Sequence, residues 1–334
     1  MKKILLTGGM GYIGSHVCIE LIKKGYEVVI VDNLCNSSIS VLEGIKKITG
    51  LKPVFYENDI RDKAALLKIF NTHSISSVIH FAGLKSLKES VDEPINYYDN
   101  NLIATINLLQ VMKQINCKSI VFSSSATVYG KTEHVPISEN APLSASNPYG
   151  QSKLLIERLL QDLYISDNKW NIAILRYFNP AGAHGSGLIG ESPNGIPNNL
   201  FPYISKVANG KLSKLIIFGN DYDTHDGTGI RDYIHVVDLA KGHLKALEVM
   251  HSYSKVLLVN LGTGQGYSVL DVVKGFEKAS SKKIPYEFAS RREGDVAKCY
   301  ADPSLSFKLL NWRAESTLDQ MCRDAWNWEN TYLN

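Results

Sequence analysis

Residues 7–14 read TGGMGYIG, a glycine-rich stretch that indicates the fold class of the chain. It follows the apolar run 4–6 and precedes an amphipathic stretch, so we predict a strand, a tight turn and a helix. In such a turn Gly8 permits the sharp bend, Gly11 lets the backbone approach a pyrophosphate, and Gly14 lets helix and strand pack closely. The helix N-terminus would then face the phosphates.

An acidic residue ends the second predicted strand. Residues 28–31 are continuously apolar and are followed by Asp32, about 20 residues after the turn, where a carboxylate can accept hydrogen bonds from ribose hydroxyls. The same charge would repel a 2′-phosphate, so NAD is favoured over NADP. The alternative, a glycine turn without a ligand, does not account for strand, turn, helix and acid together.

The first half of the chain alternates short apolar runs with helical patterns. The predicted strands are 4–7, 28–31, 54–56, 78–81, 120–123 and 172–177, and the predicted helices are 12–24, 64–70, 102–115 and 149–163. Strands that are apolar throughout indicate a parallel sheet covered on both faces. We therefore predict an α/β fold with a Rossmann-type doubly wound parallel sheet.

The character of the chain changes near residue 180. Residues 180–202 are rich in Gly, Pro and Asn and are predicted to form a long loop, a kind of segment that is often functional. We expect a dinucleotide-binding domain at 1–180, to which a segment near 235–262 returns. A smaller, mixed C-terminal substrate domain is expected at 181–334.

Composition excludes several classes of protein. The 334 residues are 44% hydrophobic and 21% charged with a net charge of +3, which suits a soluble globular protein and does not favour nucleic-acid binding. Five cysteines without a Cys-x-x-Cys pair argue against a disulfide framework or a zinc site. His16, His80 and His235 lack metal-ligand spacing, so no metal is expected. We expect a cytoplasmic protein that does not enter membranes.

A candidate catalytic group follows the fifth predicted strand. Tyr149 and Lys153 stand four residues apart, on one helical face. A tyrosine ordinarily ionises near pH ~10, and a neighbouring ammonium favours its phenolate, which could act as a general base. A tyrosine and a lysine four residues apart are common on helices, where they usually form a contact on the protein surface. Here, however, serines 123–125 end the preceding strand at the edge of the sheet where ligands bind.

The combination of Ser125, Tyr149 and Lys153 with the TGGMGYIG turn resembles the extended short-chain dehydrogenase/reductase family. Longer strings are similar to those of its UDP-glucose 4-epimerase branch over essentially the whole chain. They are DNL (32–34), HFAGLK (80–85), YYDNN (97–101), SSSATVYG (123–130), RYFN (176–179), GIRDYIH (229–235) and RREGD (291–295). The resemblance implies a homodimeric, NAD-dependent enzyme that inverts carbon 4 of UDP-hexoses through a transient 4-keto sugar.

The resemblance also implies roles for individual residues. Ser125 would bond the reacting hydroxyl, Tyr149 would move its proton, and Lys153 would bond the nicotinamide ribose. The other implied NAD-binding residues are Gly8, Gly11, Tyr12, Ile13, Gly14, Asp32, Asn33, Leu34, Cys35, Asn36, Ser37, Asp59, Ile60, Phe81, Ala82, Gly83, Leu84, Lys85, Asn100 and Phe178. The implied UDP-sugar residues, besides Ser125 and Tyr149, are Asn179, Asn199, Leu200, Ile216, Ile217, Phe218, Arg231, Tyr233, Arg292, Glu293, Gly294, Asp295 and Cys299.

Two departures from the family pattern concern the fine contacts. Residues 86–88 read SLK where small apolar residues are expected after Lys85. Cys299 stands where some relatives carry a bulky tyrosine beside the sugar, so the site is predicted to be roomier and to accept N-acetylated UDP-hexoses as well.

Two other functions compete with epimerisation. A sugar-nucleotide 4,6-dehydratase would carry an Asp-Glu pair after the active serine, whereas this chain has Ala126 and Thr127. A non-catalytic NAD-sensing protein would not require Tyr149 and Lys153. Conversion of UDP-galactose to UDP-glucose distinguishes all three.

Overall fold

A computed structural model of the chain describes residues 2–132, 134–292 and 294–331. The chain divides into two compact units. The first unit contains residues 1–130, 143–176 and 240–259, and the second contains residues 131–142, 177–239 and 260–334. The first unit is thus assembled from three separate segments of sequence.

The described residues form strands and helices in the order that an α/β protein requires. The strands are β1 (Lys3–Thr7), β2 (Glu27–Asp32), β3 (Val54–Glu57), β4 (Ile75–His80), β5 (Ser119–Ser125), β6 (Asn171–Tyr177), β7 (Asn179–Ala181), β8 (Leu215–Phe218), β9 (Ile230–Arg231), β10 (Tyr233–His235), β11 (Leu257–Leu261), β12 (Tyr267–Ser268), β13 (Tyr286–Ala289) and β14 (Lys298–Cys299). The α-helices are α1 (Tyr12–Lys23), α2 (Val41–Thr49), α3 (Lys63–Thr72), α4 (Leu87–Asp92), α5 (Pro94–Tyr97), α6 (Ala104–Gln114), α7 (Pro148–Ser166), α8 (Leu200–Ala208), α9 (Val236–Val249), α10 (Val269–Ser280), α11 (Ser304–Leu310) and α12 (Leu318–Thr331).

A seven-stranded sheet in the order β11-β6-β5-β4-β1-β2-β3 organises the first unit. Strands β1 to β5 pair in parallel, so successive strands must be joined by crossover connections. The order reverses between β1 and β4, which is the switch point where doubly wound sheets bind ligands at the carboxyl ends of their strands. The predicted Rossmann-type fold is confirmed.

Apolar side chains on the sheet explain its stability. Leu5, Val78, Ile120 and Phe122 are almost completely buried and belong to one core cluster that also receives apolar residues of α6 and α7. Burial on both faces explains why these strands are apolar throughout instead of alternating.

The second unit is built from small sheets and three packed helices. Strands β10 and β7 pair, β13 and β8 pair, and β12, β9 and β14 form a three-stranded sheet. Helices α8, α10 and α12 pack on one another. Their core includes Phe201, Ile204 and Phe276, with Met321 and Tyr233 beside them.

The structure differs from the sequence prediction in several places: helices α2, α4 and α5 were not predicted, and two predicted segments have other bounds. The helix predicted at 102–115 is entered through a π-helical stretch, Tyr98–Ile103, that continues into α6. The polar residues of this stretch interrupt the hydrophobic period, so the period does not show where the helix begins. The predicted loop 180–202 is shorter than expected, because β7 ends at Ala181 and α8 begins at Leu200. Residues 182–199 contain neither helix nor strand.

Candidate active site

The glycine turn between β1 and α1 is held by close backbone packing. Gly8 has a φ of +69°, and a Cβ there would lie 2.6 Å from the amide nitrogen of Ala82. A Cβ at Gly14 would lie 2.5 Å from the carbonyl oxygen of Gly8. Both positions therefore require glycine for packing alone. Among the described atoms, a Cβ at Gly11 would meet only that same oxygen, at 3.3 Å, so the outer side of the turn is open.

Asp32 joins this turn to the loop that follows β2. Its carboxylate accepts hydrogen bonds from the backbone N–H of Met10 (3.0 Å), the N–H of Leu34 (2.9 Å) and the hydroxyl of Ser37 (3.0 Å). Leu34 has a left-handed φ of 56°, a strained conformation that this bond helps to hold. A carboxylate offers about four acceptor positions, so one remains for a ligand hydroxyl.

The loop 33–37 is also tied to the end of β3. The Asn33 amide donates to the carboxylate of Asp59 at 2.9 Å, and Arg61 donates to both oxygens of the same carboxylate. These bonds, above all those from Arg61, lower the pKa of Asp59 to about 2. Cys35 lies exposed on the loop, and Ile60 is buried beside Asp59. The residues that were predicted to surround adenosine are thus brought together.

The segment after β4 lies against the turn and is fixed by a residue that the sequence argument missed. The backbone N–H groups of Phe81 and Ala82 both lie 3.0 Å from the carbonyl oxygen of Thr7. Asn101 accepts a bond from the N–H of Leu84 at 2.7 Å and donates to its carbonyl oxygen at 3.1 Å. Asn101 also donates to Ser152 on α7 at 3.0 Å. The predicted residue Asn100 is its half-buried neighbour, and the string YYDNN was the available signal.

The three predicted catalytic residues lie where β5 ends and α7 begins. Ser125 is the last residue of β5 and accepts a bond from the N–H of Thr127 at 3.2 Å. Asn147 caps α7 by accepting a bond from the N–H of Gly150 at 2.9 Å, which fixes the first turn that carries Tyr149. Both Ser125 and Tyr149 are buried, and α7 packs against β5.

Lys153 is buried between the strand and the tyrosine. Its ammonium donates to the carbonyl oxygen of Ser123 at 3.0 Å and lies 4.9 Å and 5.9 Å from the ring centroids of Phe122 and Tyr149. Burial lowers the pKa of Lys153 to about 8, and the carboxylate of Glu157 raises it in opposition. A positive charge is therefore available beside the phenol of Tyr149 at neutral pH.

The predicted structural histidines make internal hydrogen bonds. His80 is held between the hydroxyls of Thr7 (2.6 Å) and Thr105 (2.8 Å), and burial lowers its pKa to about 3. His235 bonds the carboxylate of Asp324 at 3.0 Å. A neutral His80 therefore adds no second positive charge beside Lys153.

In the second unit, several predicted UDP-sugar residues form a cationic and aromatic cluster. The Asp295 carboxylate lies 3.5 Å from the Arg231 guanidinium and accepts a bond from Nε of Arg292 at 3.0 Å. The Arg292 guanidinium lies 4.9 Å from the ring centroid of the exposed Phe218. Two guanidinium forks, one carboxylate and one open ring can recognise a diphosphate next to a flat base.

Cys299 lies beside this cluster because β14 pairs with β9. The pairing places Cys299 opposite Arg231. Burial raises the pKa of its thiol, so this cysteine is a small neutral side chain rather than a reactive thiolate.

The other predicted residues of the second unit are more spread out. Tyr233 on β10 is buried against Phe201, at a ring-centroid distance of 5.3 Å, and pairs with the exposed Asn179 of β7. Asn199 donates to Glu191 at 2.8 Å, next to Leu200 at the start of α8. Of the remaining predicted residues, Phe178 is buried just before β7, and Ile216 and Ile217 belong to β8. Gly294 lies in a turn, and Glu293 lies outside the described residues.

In the part of the chain that the structure describes, one group of polar side chains has ligand atoms close enough for a metal ion. Atoms of His225, Asp226 and Asp271 lie within 4.8 Å of one another. The carboxylates are already engaged, since Asp226 accepts a bond from Ser268 and Asp271 forms the capping box of α10 with Ser268. We interpret the group as a structural cap.

Within residues 2–132, 134–292 and 294–331, every helix is too short or too polar to span a membrane.

The glycine turn, the sheet order and the Ser125, Tyr149 and Lys153 arrangement define an extended short-chain dehydrogenase/reductase. Comparison with known proteins narrows this class. A family model described as GDP-mannose 4,6 dehydratase matches residues 5–325. The UDP-glucose 4-epimerase of Bacillus subtilis is 56% identical over 331 residues, which is 99% of this chain and 98% of that protein.

Solved structures agree with this result. The UDP-glucose 4-epimerase of Stenotrophomonas maltophila with bound NAD and formylated UDP-arabinopyranose superposes with a TM-score of 0.98 at 49% identity, covering 100% of this chain and 99% of that one. The UDP-Glc/GlcNAc 4-epimerase of Campylobacter jejuni gives 0.87 at 36% identity, covering 99% and 100%. The chain belongs to the UDP-glucose 4-epimerase family, which lies within the larger family whose model is described as GDP-mannose 4,6 dehydratase.

Proposed function

We propose that this protein is an NAD-dependent UDP-glucose 4-epimerase in which Tyr149 transfers the proton. Family membership establishes an isomerase. The observation that carries the residue assignment is the position of the Lys153 ammonium, 3.0 Å from the carbonyl oxygen of Ser123 and 5.9 Å from the ring of Tyr149. A buried cation at this position favours the phenolate that a general base requires.

The first unit has the features that NAD binding needs. The outer side of the turn is open at Gly11, and residues 12–14 of α1 are uncharged, so the positive end of the helix faces this side without a competing carboxylate. Asp32 would accept from a ribose hydroxyl and would repel a 2′-phosphate. Asn33, Asp59 and Ile60 would surround the adenosine. When bound, NAD supplies reversible acceptance of a hydride from carbon 4 of the sugar.

The protein's own residues then perform the proton chemistry. Tyr149 would remove the proton of the 4′-hydroxyl, Ser125 would hold that hydroxyl by a hydrogen bond, and Lys153 would keep the phenol ionised. The resulting 4-keto sugar must present its opposite face before the hydride returns. Anchoring of the UDP half by Arg231, Arg292 and Phe218 would retain the substrate through both steps while its sugar turns over.

We propose that UDP-GlcNAc and UDP-GalNAc are also substrates. Cys299, opposite Arg231 on the neighbouring strand, is far smaller than tyrosine. Overlap with an acetamide cannot be tolerated in a close-packed pocket, whereas spare room reduces affinity only modestly. The Campylobacter jejuni relative, named for both Glc and GlcNAc, gives this proposal a precedent in the family.

We further propose that two copies of the chain associate through the α4, α5 and α7 side of the first unit. These helices and the π-helical stretch pack on one another. They expose the apolar side chains of Val91, Ile95, Ile103 and Leu155, of which Ile95 is 84% exposed. An apolar patch of this kind is typical of a self-complementary interface in a homodimer.

A cytoplasmic location is part of the same proposal. All five cysteines are free, which suits a reducing compartment.

The central test is conversion of UDP-galactose by the purified protein without added cofactor. We expect UDP-glucose as product, together with an absorbing or fluorescent reduced cofactor when UDP-sugar is added in excess. A dehydratase would instead give a 4-keto-6-deoxy sugar, and an NAD-sensing protein would give no product. Either result would overturn the proposal.

A further inference from the structure

A buried ion pair lies one helical turn beyond Lys153. Glu157 and Arg176 are 1% and 2% exposed, and their side chains meet in a two-pronged contact. Nη2 of Arg176 lies 2.7 Å from Oε2 of Glu157, and Nε lies 3.1 Å from Oε1. Two charges removed from water in this way need further hydrogen bonds to compensate for desolvation.

Those additional bonds lead directly to the strand that carries Ser125. The hydroxyl of Ser124 donates to Oε1 of Glu157 at 2.5 Å. Arg176 donates to the hydroxyl of Tyr129 at 3.1 Å, and its guanidinium lies 5.0 Å from the ring centroid of that tyrosine. Tyr129 ends the short 3₁₀-helix, Ala126–Tyr129, that begins immediately after Ser125.

The Glu157 carboxylate therefore links helix α7 to the end of β5, through the hydroxyl of Ser124, and to β6, through the guanidinium of Arg176. It is part of α7, two turns after Tyr149 and one after Lys153. Through Ser124 it holds the residue between Ser123, whose carbonyl oxygen binds Lys153, and Ser125.

Glu157 also carries the negative charge that opposes the cost of burying Lys153. The groups around the Lys153 ammonium are Glu157 and Tyr149 on its own helix, the Phe122 ring and Ser123 carbonyl of β5, and His80 of β4. Beyond them lie His243 of α9, which bonds the Ser123 hydroxyl at 3.0 Å, and the Arg176 guanidinium of β6, which pairs with Glu157. Burial lowers the pKa of His80 well below neutrality, so that histidine is uncharged. Of these groups, Glu157 is the carboxylate, and its position is fixed by its pairing with Arg176.

We propose that Glu157, held in place by Arg176 and Ser124, is a positioning residue that sets Lys153 and Ser125 relative to each other and keeps Lys153 protonated. The proposal rests on the function proposed above for Tyr149 and Lys153. Glu157 itself does not reach the reacting atoms. Its effect is transmitted through the ammonium of Lys153 and through the strand end.

Glu157→Gln removes the charge but preserves the shape of the side chain. We expect the titration midpoint of Lys153 to fall by about one pH unit, measured by NMR of the protein labelled with ¹³C at the lysine ε-carbon and assigned with Lys153→Met. We also expect kcat for UDP-galactose to fall about ten- to a hundredfold, with the alkaline limb of its pH profile moved to lower pH. An unmoved midpoint would overturn the proposal.

Two further variants separate positioning from folding. The double variant Glu157→Met with Arg176→Met replaces the ion pair by apolar side chains, a change that buried pairs often tolerate. It should remain folded by circular dichroism yet show the same loss of kcat; full activity would contradict the proposal. Asp167→Asn removes the ion pair with Lys118, 2.8 Å away, at the other end of α7, and should leave both the midpoint and kcat unchanged.

The NMR measurement does not depend on the reaction. If the wild-type protein converts no UDP-galactose, the proposed function fails while the Lys153 titration still decides the role of Glu157.

Discussion

The ammonium of Lys153 donates to the carbonyl oxygen of Ser123 across 3.0 Å. The C-terminal end of strand β5 and the first turns of helix α7 are therefore joined through a buried charge. Burial of that charge is costly, and it lowers the pKa of Lys153 from the ordinary 10.5 to about 8. A group retained at this cost in the interior indicates function rather than stability.

Lys153→Met tests directly how much burial of the Lys153 charge destabilises the folded protein. The folded-state pKa lies below the unfolded one, so folding is penalised at pH values below 8, and the penalty disappears as the pH rises to 10.5. Removing the charge should raise the free energy of unfolding at pH 7 by up to about 3 kcal/mol, since one pKa unit corresponds to ~1.4 kcal/mol. Denaturant melts should show a clearly larger difference between variant and wild type at pH 7 than at pH 10.

The same variant should lose activity. Without the ammonium, Tyr149 should ionise only at higher pH, so the remaining turnover should have an optimum shifted upwards. An unchanged rate and pH profile would mean that Lys153 is merely structural.

Tyr149→Phe removes the phenolic oxygen and leaves the ring in its buried place. We expect kcat to fall by about 10²–10⁴-fold, the range typical of general acid–base groups. Binding of UDP, followed by calorimetry, should be retained because the proposed anchors belong to the second unit. Near-normal turnover would show that another group transfers the proton.

How far the sequence predicts the site depends on the range of the interactions involved. The turn and the Tyr149–Lys153 spacing are local patterns, so their chemistry could be inferred from a few adjacent residues. Asn101 and Glu157 act through contacts with residues 17 and 33 positions away. The string YYDNN marks the region of Asn101 without giving its role, and Glu157 stands in no motif. Three-dimensional contacts were needed to find them.

The fold likewise contains parts that local sequence patterns predict and parts that depend on contacts between distant residues. The apolar strands were predictable because burial on both faces fixes their composition. The π-helical stretch Tyr98–Ile103 was not, since its half-buried polar residues lack a helical hydrophobic period and are held by contacts such as that of Asn101 with Leu84.

The proposed dimer can be tested at Ile95, the most exposed apolar residue of its patch. Ile95→Glu places a charge in the interface, where desolvation without a partner is strongly unfavourable. We expect the mass measured by light scattering to fall from that of two chains to that of one. Ile165→Glu, at another highly exposed isoleucine near the far end of α7, serves as the control and should remain dimeric. A wild-type protein that is already monomeric would refute the assignment.

The substrate range depends on the volume beside Cys299. Hexose and N-acetylhexosamine differ at carbon 2, where the second carries an acetamide, and a tyrosine at position 299 would occupy the space that this group needs. We therefore expect the wild-type protein to interconvert UDP-GlcNAc and UDP-GalNAc as well as UDP-glucose and UDP-galactose. Cys299→Tyr should abolish activity on the N-acetylated pair and spare the plain hexoses. Cys299→Ser, which preserves the size, should retain both activities, so loss in the tyrosine variant alone would be steric. If the wild-type protein ignores UDP-GlcNAc, or the tyrosine variant still converts it, neighbouring side chains rather than residue 299 set the size of the pocket.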